Sequence, residues 1–207
     1  MRRVVLVSAL LGMLALLAAP VAAQDSDGAW RLNAHVGPAF GTFGTTPNFD
    51  VEAGYAFNNR IAFVGEVGAL SHAPFDKAKS VAPAVPAPDS FRESKVHVNG
   101  YHYNGNLLFE PANRGPLTPY ATIGIGAFRG STVAEYTTGQ SRRREYEAAT
   151  HFAANLGGGI TYRVTPWLGL NADYRNFMVI PARAREGVSL GTQYVNRFTT
   201  GVSLFVK

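Results

Sequence analysis

Apolar side chains recur at every second position through successive runs of about ten residues. A period of two places neighbouring side chains on opposite faces of an extended strand. A helix would repeat every 3.6 residues, and no such stripe stands out after the first 23 residues. Eight runs carry the pattern: Trp30 to Phe40, Phe49 to Phe57, Ile61 to Ala69, Val96 to Phe109, Tyr120 to Phe128, Phe152 to Tyr162, Leu168 to Tyr174 and Phe198 to Val206. In the first, Trp30, Leu32, Ala34, Val36 and Phe40 share one face, and Arg31, Asn33 and His35 share the other. The fifth is ambiguous, because Ile123 and Ile125 fall opposite Tyr120 and Phe128.

The connections alternate in length. Asn58-Asn59-Arg60, Val164-Thr165-Pro166 and the segment Pro111 to Thr118 read as tight turns rich in Asn, Gly and Pro. Between them lie Gly41 to Asn48, Ser71 to Lys95, Gly130 to Thr150 and Asn176 to Val195, read as loops, all but the first long. Short turns at one rim and long loops at the other describe a membrane-spanning barrel, with turns in the periplasm and loops outside. The expected fold is therefore all-β: an eight-stranded antiparallel up-and-down transmembrane β-barrel.

Alternation alone does not say which face is inside. A soluble lipocalin-like barrel has the same period with its apolar face inward. Aromatics favour the inverted arrangement. Trp30, Phe57, Phe109, Tyr120 and Tyr162 fall at the turn rim, and Phe40, Phe49, Phe128, Phe152 and Tyr174 at the loop rim. These are the two girdles expected at membrane interfaces. The polar face is poor in Lys and carries both signs of charge, which suits a packed lumen. Runs of this length also match the 9 to 11 residues a tilted strand needs to cross.

The N-terminus sets the expected route. Arg2 and Arg3 precede an apolar stretch from Val4 to Ala19, Pro20 breaks it, and Val21-Ala22-Ala23 supplies small residues for cleavage before Gln24. Residues 1–23 thus read as a cleaved signal peptide, leaving 24–207 as one barrel domain. Its removal lowers the formal charge from +5 to +3, a mild balance that does not argue for nucleic acid. The absence of cysteine excludes disulfides, zinc–thiolate clusters and a thiol nucleophile.

The chain resembles the small outer-membrane β-barrel family of the OmpA/OmpX type, known as the outer membrane protein beta-barrel domain. The resemblance rests on FDVEAGYAFNNRIAFVGEVG (Phe49 to Gly68), VNGYHYNGNLLFE (Val98 to Glu110), TPYATIGIGAF (Thr118 to Phe128), LGGGITYRVTPWLGLNADYRNF (Leu156 to Phe177) and the final RFTTGVSLFVK. It spans nearly the whole chain after the signal segment. It implies residence in a Gram-negative outer membrane and contact with the barrel-assembly machinery during insertion. Family members commonly end in an aromatic residue, whereas this chain ends Val206-Lys207.

Few residues suggest chemistry. The polar face gathers Arg31, Asp50, Glu52, Glu66, His102, Asp173, Arg175 and Arg197. An eight-stranded barrel is just wide enough to be filled by its own side chains, so these are expected to pair as a structural network. None of His35, His72, His97, His102 and His151 sits at a metal-ligand spacing such as HExxH, and no GxSxG occurs. Some outer-membrane barrels are lipid A hydrolases with a His and a Ser two apart on a strand, but here His97 is followed by Asn99. No catalytic, cofactor or metal residue is expected.

The loops carry the remaining signal. Arg142-Arg143-Arg144 form a consecutive triplet, with Arg183 and Arg185 on the same rim. Guanidinium pairs well with phosphate, so this rim is the candidate contact for lipopolysaccharide or another anionic external partner. The segment VAPAVPAPDS (Val81 to Ser90) reads as extended and Pro/Ala-rich. The function expected is non-enzymatic, structural or surface-interacting. The alternatives are a narrow porin-like channel for small solutes and a secreted or periplasmic lipocalin-like binder.

Overall fold

The computed structural model describes residues 28–42, 44–74, 94–111, 115–138, 140–145, 149–180 and 192–206. The expected signal segment, the Pro/Ala-rich segment, Arg183 and Arg185 lie outside them. Nine strands form: β1 (Trp30–Gly41), β2 (Gly44–Ala56), β3 (Ile61–Pro74), β4 (Ser94–Phe109), β5 (Leu117–Thr138), β6 (Gln140–Glu145), β7 (Ala149–Arg163), β8 (Leu168–Ile180) and β9 (Gln193–Val206).

Eight of these close into an antiparallel barrel. Following the sheet from β4 through β3, β2, β1, β9, β8 and β7 leads to β5, which pairs back onto β4. Closure satisfies every wall strand on both sides, the condition for β-structure in hydrocarbon. β6 stands outside the circuit and pairs with the far end of β5, from Val133↔Glu145 to Thr138↔Gln140.

The turns close by local side-chain acceptors. Asn58 Oδ1 accepts the backbone N–H groups of Arg60 (2.8 Å) and Ile61 (2.9 Å) between β2 and β3. Thr165 Oγ1 accepts the N–H of Leu168 (3.0 Å) between β7 and β8. Both are the short-range bonds that make Asn and Thr turn residues.

Two stretches expected as loops are largely strand. Gly41 to Asn48 is a hairpin in which Gly41 pairs with Gly44, both with positive φ, so β2 begins at Gly44. Gly130 to Thr150 contains the end of β5, all of β6 and the start of β7. These extensions lack the alternating signature because strand segments beyond the apolar belt have no hydrocarbon to face.

The exposure pattern follows the alternation and resolves the fifth run. Ile123 and Ile125 are 60% and 63% exposed on the outer face, whereas Tyr120 and Phe128 are buried inside. Assigning Tyr120 and Phe128 to the girdles was therefore incorrect: two outward isoleucines fix the face, and the flanking aromatics follow the alternation inward. Trp30, Phe57 and Phe109 at the turn rim, and Phe40, Phe49 and Phe152 at the loop rim, all point out. Tyr174 also points out, but it stands mid-wall between Asp173 and Arg175 and pairs with Gly158, so it does not reach the loop rim expected for it.

The interior is layered. Ala56, Ala62, Val64, Leu108 and Tyr120 form an apolar cluster at the turn end. A larger one at the loop end includes Leu70, Val98, Phe128, Phe177, Val179 and Val195. Charged and amide side chains occupy the level between them.

Candidate functional site

Five walls supply most of the central polar layer through their inward positions. β2 supplies Asn48, Asp50 and Glu52; β3 supplies Glu66; β4 supplies His102, Asn104 and Asn106; β8 supplies Asp173 and Arg175; β9 supplies Arg197. All ten are buried. The spacing of two along β2 and β8 stacks like or opposite charges on one face, and barrel closure brings those faces together.

Two guanidinium groups organise the layer. Arg175 donates to Glu66 and, at 2.5 Å, to Glu52 Oε1, with its Nε 3.0 Å from Asp173 Oδ1. Arg197 donates to Glu66 and contacts Asp50 (3.2 Å) and Asp173 (3.3 Å). Four carboxylates thus share two arginines. Other donors complete their shells. Asn33 Nδ2 bonds Glu52 (2.7 Å), Asn48 Nδ2 bonds Asp50 (2.8 Å), Asn106 Nδ2 bonds Glu66 (3.0 Å), and Tyr120 Oη bonds Asp173 (2.7 Å). His35 Nδ1 donates to Asp50 Oδ1 at 2.6 Å.

His102 joins through amides. Its Nε2 donates to Asn48 Oδ1 (3.2 Å), and its Nδ1 accepts from Asn104 Nδ2 (3.1 Å). Gly124 makes room for a second amide pair, Asn155 Nδ2 to Asn106 Oδ1 at 2.9 Å. A Cβ at position 124 would lie 1.9 Å from Asn106 Oδ1 and 2.7 Å from Asn155 Nδ2.

The arrangement offers little for chemistry. Donor atoms of His35, Asp50 and Glu52 lie within 4.8 Å of one another. Both carboxylates are already matched to arginine and asparagine, so this is a salt-bridge set and not a cation site. A void beside Phe177 and Arg197 has a volume of about 10 Å³, at the lower limit for a single water molecule.

A second charged group closes the turn end. Arg31 donates to Glu110 Oε1 at 2.5 Å. The guanidinium carbons of Arg31 and Arg163 lie 5.2 and 4.3 Å from the centre of the Phe205 ring. Glu110, Arg163 and Phe205 were missed in the sequence because they sit at or just beyond the ends of the alternating runs. Extending the alternation one residue past Phe109 and Tyr162 places the first two inward.

The arginine triplet lies elsewhere. Arg142, Arg143 and Arg144 occupy register positions on β6 opposite Tyr136, Glu135 and Ala134 of β5. They stand past the loop-side rim and share no layer with the lumen arginines.

A closed eight-stranded circuit with its apolar face outward and its charges inside is the arrangement that lipid demands of a barrel. The model of the outer membrane protein beta-barrel domain matches residues 9–203. The chain belongs to this family. No curated protein matches it significantly. Among solved structures, it is similar to a major outer membrane protein from Thermus thermophilus, at 11% identity and a TM-score of 0.53, covering 86% of this chain and 99% of that one. Neisserial surface protein A is 17% identical, with a TM-score of 0.47 and coverage of 87% and 98%. Ail, the attachment invasion locus protein of Yersinia pestis, is 14% identical, with a TM-score of 0.48 and coverage of 86% and 99%. At these identities the likeness concerns the fold.

Proposed function

We propose that this family member is an exported, non-enzymatic barrel of the outer membrane with a structural or surface-interaction role, and that its contacts are made at the loop-side rim. The observation that carries the reading is the filled lumen. Arg175 and Arg197 tie carboxylates from β2, β3 and β8 together at the barrel centre, with apolar layers above and below. A barrel filled this way favours neither a lipocalin-type ligand nor a solute path, which directs the proposed contacts to its rim. Planar-bilayer recordings of the purified protein test the channel alternative; silence is expected, and stepwise conductance would favour a pore.

The rim contact proposed is with lipopolysaccharide phosphates or a comparable anionic partner, through Arg142, Arg143 and Arg144. Their support is chemical: three consecutive guanidinium groups on a strand that extends past the barrel wall, and the match of guanidinium to phosphate. Replacing all three with Gln and measuring co-purified lipopolysaccharide tests it. A marked fall is expected, and unchanged association removes the rim assignment while leaving the barrel reading intact.

A further inference from the structure

Near the loop end of β3 the ladder with β4 breaks register. Leu70 pairs with Gly100 and Ala73 with Val98, so Ser71 and His72 stand opposite Asn99 alone. His72 has φ of 61°, making it the one non-glycine residue with positive φ among those described. Left-handed backbone is costly for a residue carrying a side chain, and such strain gathers where a side chain has to be aimed. The bulge is pinned from both sides. The His72 N–H donates to Asn99 Oδ1 at 3.2 Å, and Thr46 Oγ1 donates to the Ser71 carbonyl.

What the bulge aims is an imidazole. The His72 ring lies on that of His97, with centroids 4.4 Å apart and planes 19° apart. His72 is exposed and His97 half-buried. Both lie beyond Ala69, the register partner of Phe49 and Tyr101, and so past the loop-side aromatics. His35, His102 and His151 are buried, so among the described residues this pair alone presents imidazole to the outside.

We propose that His72 and His97 form a two-imidazole site for a divalent late-transition-metal ion at the outer rim. A metal–imidazole bond of about 2.0–2.1 Å lets one ion span nitrogens on two adjacent rings. Ring centres 4.4 Å apart bring the two within that span once they fan about their χ2 bonds, a motion open to the exposed His72. Neutral nitrogen ligands select copper, nickel or zinc over magnesium or calcium. Two protein ligands leave the remaining positions to water. The bent strand thus serves as the arm that holds one ligand over the other.

The test uses the full mature chain, without a histidine tag, folded in detergent micelles and titrated with copper(II). Electron paramagnetic resonance is expected to show one bound ion per chain with coupling to two nitrogens, displaced by excess zinc. His97→Gln is expected to reduce the coupling to one nitrogen and weaken binding at least tenfold. His72→Asn, which keeps a residue tolerant of left-handed φ, is expected to do the same. Heat-modifiable gel mobility confirms that each variant is folded. Absence of copper binding by the wild-type barrel, or equal binding by the folded double variant, overturns the proposal.

Discussion

Glu66 on β3 and Arg175 on β8 bond across the full width of the barrel, from strands that are diametrically opposite in the eight-membered circuit. Arg197, beside Arg175 in the β8–β9 ladder, also reaches Glu66, so β3 is tied to two walls with which it shares no ladder. Four carboxylates converge on these two guanidinium groups, so the two signs are not equivalent. Removing a guanidinium leaves four acids facing one arginine; removing a carboxylate eases the excess. Arg175→Met is therefore expected to cost about 3–5 kcal/mol, the usual consequence of leaving buried charge uncompensated. Glu66→Gln is expected to cost less. Urea unfolding in micelles ranks them, and the reverse order contradicts the charge count.

Depth in the membrane sets a second ordering. Leu156 is 64% exposed and lies midway along β7 between Phe152 and Tyr162, which mark the two rims. Leu170 also faces out but pairs with Tyr162, close to the turn rim. Arginine at Leu156 is expected to cost about 2–4 kcal/mol, falling toward 0–1 at the interface, so Leu170→Arg costs less. Asn171→Ala, on the lumen face, loses its 2.7 Å bond to Ser203 Oγ and about 0.5–1.5 kcal/mol. Refolding equilibria in lipid vesicles give the three values. Equal costs at Leu156 and Leu170 would contradict the placement of the belt.

Tyr120 offers a sharper test of facing. Its hydroxyl donates to the buried carboxylate of Asp173. Tyr120→Phe is expected to destabilise the barrel by about 1.5–3 kcal/mol, the range for a hydrogen bond to a charged group. An interfacial tyrosine would tolerate the change. An unaltered urea midpoint would return Tyr120 to the girdle.

The same residue shows where sequence reading reaches its limit. The strand period, the short turns and the inward placement of Glu52, Glu66, Asp173 and Arg175 are local properties, legible from spacing alone. Tyr120 is ambiguous because aromatics suit both an interface and a packed lumen, and only the neighbouring isoleucines decide between them. The pairing of Glu66 with Arg175 is not legible at all. It depends on which heights of β3 and β8 coincide after closure, a property of the whole circuit. The outer ends of β5 and β6 are hidden for a different reason: beyond the belt, a strand sheds the alternation that reveals it.

Phe205 sits on the last strand with its ring turned into the lumen, between the guanidinium groups of Arg31 and Arg163. Its N–H donates to the Trp167 carbonyl at 2.9 Å, and position 205 pairs with Arg31 across the β1–β9 seam. Through its ring and its N–H, Phe205 thus links β1, β7 and the β7–β8 turn to β9 at the turn end. Phe205→Leu keeps most of the apolar volume but removes the π face from two cations. Each such contact is worth about 0.5–2 kcal/mol, so a loss of about 1–4 kcal/mol is expected. Val206→Leu, the adjacent outward position, is expected to be close to neutral because lipid accepts either side chain. Urea midpoints in the same micelles compare them. A larger effect at Val206 than at Phe205 would mean that the seam is held from the lipid side and not from within.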